Sequence, residues 1–269
     1  MRRVLAAVDA SPVAAEVMRA AVVFADVLGA SPEGLHVAAE PDPGLGAQAA
    51  ATGLRLVHRP GAPHAVIHQA MSEPGVVLGV LGTSGAGGAR QRPGRVARAV
   101  LAGAPGPVVA VPPGSFPQDR RHVCRAVVPL DGRARAAAAV EPIVTTLVDA
   151  GVDVVLVHVV EDVDLLPLVR AHAARLGRTA HPGRRQEPEV PRRLHVTHGD
   201  PATVILDACL AEDAELVVVG WAQDLSGRRA ATVRHLLAGS PVPVLLVPAS
   251  SVATDLLAWE AHGAAAGST

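Results

Sequence analysis

The stretch Val76–Val96, VVLGVLGTSGAGGARQRPGRV, decides how the chain is read. Val76 to Leu81 is an apolar run without alternation, the pattern of a strand covered on both faces. Ala97-Arg98-Ala99-Val100-Leu101 reads as helix. Between them lies a glycine-rich turn with Arg90, Arg92 and Arg95, and Arg98 follows in the helix. Backbone N–H groups at such a turn, helped by a helix N-terminus, converge on anions. Guanidinium groups suit phosphate. The stretch is not a P-loop, because GxxxxGK[ST] is absent, and GxGxxG from Gly85 fails at Arg90.

Working outward, strand and helix signals alternate. Arg3 to Val8 is a first strand ending at Asp9. Ser11-Pro12 predicts a helix start, with Ser11 as N-cap and Pro12 at the first helical position. Gly29 stops that helix. Leu35-His36-Val37 reads as a second strand, Glu40 to Gly53 as loop with at most a short helix, and Leu54 to His58 as a third strand. Pro63 opens a helix, Val76 to Leu81 is strand four, and Pro107 to Val111 is strand five. Pro112 to Arg121 reads as a polar linker.

The pattern then repeats. A shift of 122 positions carries Asp9 to Asp131, Gly29 to Gly151 and Leu35-His36-Val37 to Val157-His158-Val159. A shift of 138 carries Gly61 to Gly199, Ile67 to Ile205 and Gly82 to Gly220. A shift of 136 carries Leu101–Pro105 to Leu237–Pro241. A tandem duplication follows, with expected units at 1–113 and 123–249, a linker at 114–122 and a tail at 250–269. The second unit has extra residues between Glu161 and Pro191, with an amphipathic helix predicted around Leu165 to Leu176. Non-alternating strands and right-handed crossovers predict an open parallel α/β sheet in each unit.

Composition narrows the function. A net charge of −1 provides no basic field for nucleic acid. The chain has no Tyr, two Phe and two Trp, so base-stacking platforms are not expected. Apolar runs are too short to span a bilayer, and Arg2-Arg3 does not open a signal peptide. The expectation is a cytoplasmic protein with no membrane or nucleic-acid partner. Cys124 and Cys209 are isolated, and His64 with His68 lacks a third ligand, so no metal site is expected. His36 and His158 read as packed strand-end residues. No GxSxG elbow or nucleophile cluster is present, so no catalytic residue is assigned.

The motifs Val8-Asp9-Ala10-Ser11-Pro12, Leu35-His36-Val37, the glycine turn and Ala104-Pro105-Gly106-Pro107-Val108 resemble the universal stress protein family. In the second unit, Gly199-Asp200-Pro201-Ala202 and Ser240-Pro241-Val242-Pro243-Val244 resemble it too. The resemblance implies an adenine nucleotide alpha hydrolase-like fold, with strand order 3-2-1-4-5 in each of two five-stranded sheets. It implies a non-enzymatic stress-response or regulatory protein that binds ATP or another adenine nucleotide. Magnesium would come only with the nucleotide. Asp9 and Val37 match the positions that hold adenine. Gly82, Gly85 and Gly94 match the glycines of G-x2-G-x9-G-[ST], the last only with a loop one residue short. Arg95 then replaces the hydroxyl, with Val96 beside it. The second unit departs further, with Trp221, Gln223, Asp224 and Ala230 in its loop, so binding is expected in the first unit only. The alternative is an interaction or scaffold module with both sites decayed. The resemblance also implies an intramolecular pseudo-dimer through the fifth strands. A further homodimer and an unidentified protein partner stay open.

Overall fold

A computed structural model describes residues 1–84, 93–131, 134–159, 170–171, 173–174, 194–226 and 230–249. In the first unit, β1 (Arg3–Val8), β2 (Ser31–Val37), β3 (Arg55–Arg59), β4 (Val76–Gly82) and β5 (Val108–Val111) alternate with helices. These are α1 (Ala14–Val27), α2 (Pro43–Ala51), α3 (Pro63–Met71) and α4 (Arg95–Gly103). The second unit has β6 (Arg125–Leu130), β7 (Asp153–Val159), β8 (Leu194–Thr197), β9 (Leu216–Trp221) and β10 (Val244–Pro248). Its helices are α5 (Ala134–Asp149), α6 (Pro201–Ala211) and α7 (Ala230–Gly239).

The strand order is β3-β2-β1-β4-β5-β10-β9-β6-β7-β8. Each half therefore has the order 3-2-1-4-5, with every pair inside it parallel. The halves are not separate sheets. β5 and β10 pair antiparallel, with Val109 opposite Leu245, and join them into one ten-stranded sheet. This pairing satisfies two apolar edges that would otherwise expose unpaired backbone groups.

One core covers each face of the sheet. Helices α1 and α5 pack on the first face, with Val17, Phe24, Val144 and Leu147 buried there. Helices α3, α4, α6 and α7 pack on the second, with Ile67, Leu101, Ile205 and Leu237. Both clusters run through both units, because the strands between them are buried on two sides.

Three local readings are corrected or sharpened. Ser11 does not cap α1; Val13 is the N-cap residue, and the Ser11 carbonyl accepts from Ala14 N at 3.0 Å in a preceding turn. The stretch read mainly as loop, Glu40 to Gly53, contains α2, whose N-cap Asp42 accepts from Gly44 N (2.8 Å) and Leu45 N (3.1 Å). The connection read as a polar linker is anchored. Phe116 is fully buried in the first core, and Glu16 of α1 accepts from Gly114 N (3.0 Å) and Phe116 N (3.1 Å). Arg19 donates to the Phe116 carbonyl at 3.1 Å. The amphipathic helix predicted around 165–176 and the tail from 250 lie outside the described residues, apart from 170–171 and 173–174.

Candidate functional site

The strand order brings three strand ends together. β1 lies between β2 and β4, with Val8 opposite His36 and Ala7 opposite Leu81. Asp9, Val37 and Gly82 thus stand at neighbouring carboxyl ends. The connections from β1 and β4 leave to opposite faces, α1 toward the first core and α4 toward the second. That divergence opens a crevice where ligands of open α/β sheets bind.

The Asp9 carboxylate is exposed, and its Oδ1 accepts from Ser11 N at 3.3 Å. Val37 and Val96 are partly buried and pack against the second core, so their side chains have structural work. Gly82 is fixed by packing as well. A Cβ there would sit 2.6 Å from Val13 Cγ1 and 3.5 Å from Val17 Cγ2, so its absence lets α1 approach the strand end. Gly94 is the N-cap of α4 at φ −59° and ψ 161°, a conformation that does not require glycine. Its N–H donates to the Thr83 carbonyl at 2.8 Å and closes the base of the loop. Arg95 opens α4 and is exposed, as is Arg98. Gly85, Arg90 and Arg92 lie outside the described residues.

Two residues beside these strand ends are not assigned to the site by the sequence. Ser11 is buried, and its Oγ has no hydrogen-bond partner. A buried hydroxyl without a partner is costly. It lies just ahead of the α1 N-terminus, where unsatisfied N–H groups favour negative charge. Its two-residue spacing from Asp9 is the signal that could have marked it. Thr83, also buried, donates its N–H to the Val111 carbonyl at 3.0 Å.

His36 is buried as expected, with Nδ1 3.0 Å from the Val8 carbonyl. His158 repeats this against the Leu130 carbonyl at 2.7 Å. The carbonyl contact fixes the Nδ1–H tautomer in both rings. Each ring stitches strand two to the end of strand one, just before Asp9 or Asp131.

Among the described residues, the second unit differs at the matched strand ends, although Asp131 is exposed as Asp9 is. β6 pairs with β9 at Ala126 and Val127, short of their carboxyl ends. Trp221, in the repeat position of Thr83, is buried in the second core. Gln223 adopts a left-handed backbone, φ 58°, and its Nε2 donates to the Ala104 carbonyl of the first unit at 2.6 Å. Asp224 accepts from Ser226 N at 2.7 Å.

Elsewhere, burial pushes the Cys209 thiol up to about 12, so it stays protonated as a core residue. His64 and His68 are exposed on α3. Among the described residues, no group of three or more His, Cys, Asp or Glu side chains could hold a metal, and no helix is long and apolar enough to cross a membrane.

A pair of parallel half-sheets of order 3-2-1-4-5, joined by their fifth strands, defines the class of the molecule. Residues 124–248 match the model of the universal stress protein family. The match covers the second unit, just under half of the chain. A universal stress protein from Archaeoglobus fulgidus DSM 4304 superposes with a TM-score of 0.68 at 17% identity, covering 92% of this chain and 98% of its own. A Pseudomonas aeruginosa UCBPP-PA14 protein assigned to the universal stress proteins superposes with a TM-score of 0.66 at 14% identity, covering 97% and 98%. Both likenesses are of fold. No curated protein matches the chain.

Proposed function

We propose that the first unit binds an adenine nucleotide in the crevice between β1 and β4, and that occupancy regulates a partner surface without catalysis. The observation that carries this reading is the buried, unpartnered Ser11 Oγ between the exposed Asp9 carboxylate and the α1 N-terminus. Asp9 can accept from an exocyclic amine of the base. The serine hydroxyl, the helix N-terminus and the exposed Arg95 and Arg98 suit sugar hydroxyls and phosphate. The residues fit such a group in part, because the Gly94 N–H is already engaged by Thr83.

That engaged N–H favours the second reading, a scaffold with both sites decayed. Titration of the full chain with ATP, ADP, AMP and a cyclic nucleotide, each with and without magnesium, separates the two. Saturable binding of one nucleotide per chain supports the proposal; no binding leaves the scaffold. Phosphate release from ATP would overturn the non-enzymatic part.

A further inference from the structure

Gln223 is one of two non-glycine residues with positive φ among the described residues. Such a backbone is strained for a residue with a Cβ and persists only where the surroundings hold it. One contact of Gln223 lies 119 residues away in sequence, its Nε2–H to the Ala104 carbonyl. Ala104 is the C-cap residue of α4, where helix carbonyls lack intrahelical donors. The other end of α4 begins at Gly94, whose N–H closes the loop onto Thr83. The helix has nine residues, short enough that fixing one end restrains the other.

We propose that Gln223 is a positioning residue for the first unit's crevice, acting through α4 from the second unit. The loop after β9 then latches a helix of its neighbour. Trp221, two residues before Gln223, is buried in the core cluster that also holds Leu101 and Ala104. The affinity consequence rests on the nucleotide reading given above; the effect on α4 does not.

The test uses three full-length variants. Gln223→Gly removes the donor and accommodates the positive φ. Gln223→Glu keeps the shape but offers a carboxylate to a carbonyl. Gln223→Lys restores a donor. In unliganded protein, the Gly and Glu variants are expected to exchange the amide hydrogens of Arg98 to Leu101 about 2- to 10-fold faster, as for loss of one hydrogen bond. The Lys variant stays near the parent. ATP affinity of the Gly and Glu variants is expected to fall by a factor of the same order. Unchanged exchange at Arg98 to Leu101 in both donor-less variants, with only a lowered melting temperature, overturns the proposal. So does faster exchange with ATP affinity unchanged. If the parent binds no ATP, the nucleotide reading fails, and the exchange data alone decide the latch.

Discussion

Thr83 and Trp221 hold the same place in the repeat, and the contrast between them separates the two halves of the molecule. Thr83 follows β4 near an exposed carboxylate, Asp9, and a buried, unpartnered hydroxyl, Ser11. Trp221 ends β9 in a packed core, and the residues after it reach into the neighbouring half. Both halves share one strand order, and they differ in a few side chains at the ends of strands one and four. The family model matches the second half, whereas the exposed Asp9 beside a buried, unpartnered hydroxyl stands in the first. Resemblance to a family and retention of a site are separate properties.

The largest test of this contrast concerns the connection between the halves. Phe116 is buried in the core shared by α1 and α5, and its backbone is held by Glu16 and Arg19. Phe116→Ala is expected to cost about 3–5 kcal/mol, the usual range for truncating a buried Phe. Urea denaturation measures it. A cost below about 1 kcal/mol would mean that the connection is passive and that the halves are held by β5 and β10 alone.

That residue also marks where the sequence was illegible. Alternation of strand and helix, the unbroken apolar strands and the repeat are local or periodic signals, and the order within each half followed once the resemblance was recognised. Phe116 sits among prolines and polar residues, so only its distant partners reveal its burial. Ser11 misled for a related reason. Ser-Pro is a sound cap signal, but the chain makes a turn first and leaves the hydroxyl buried without a partner. Gly82 was legible as a required glycine, but the reason found is helix packing rather than approach to phosphate.

The two matched glycines give the next test. A Cβ at Gly220 would lie 2.6 Å from the Ala136 carbonyl oxygen and 3.1 Å from its Cα, both backbone atoms. At Gly82 the obstacle at 2.6 Å is a Val13 methyl, which can shift. Gly220→Ala is expected to destabilise by about 1–3 kcal/mol, as overpacking does, and Gly82→Ala by less. Equal melting temperatures for the two variants would show that α1 and α5 are equally tightly set.

The paired aspartates test function directly. If Asp9 accepts a hydrogen bond from a bound base, Asp9→Ala should weaken nucleotide binding by about 1–3 kcal/mol. Asp131→Ala should leave affinity unchanged. Calorimetry decides it, and loss of binding through Asp131 instead would assign the working site to the other half.

The smallest expected effect lies in the ion pairs around Glu73. Arg3 donates to Glu33 (3.1 Å) and Glu73 (3.2 Å), and Arg59 reaches Glu73 at 2.6 Å. In the second unit the equivalent Arg125 pairs with Asp153 at 3.2 Å. The Arg59 hydrogen bond, with Arg3 beside it, holds the Glu73 carboxyl below the usual carboxylate range. A lowered folded-state value means that the unfolded chain binds the proton more readily as pH falls. The contribution is therefore complete above the ordinary glutamate range and is lost as pH drops through the lower, folded value. Glu73 and its partners are about a third exposed, so solvent screens the pairs and the contribution at neutral pH is about 0.2–1 kcal/mol. Glu73→Gln should lower the melting temperature slightly at pH 7, and the gap from the parent should close on acidification. A gap that persists unchanged at about pH 2 would mean that Glu73 acts through packing rather than charge.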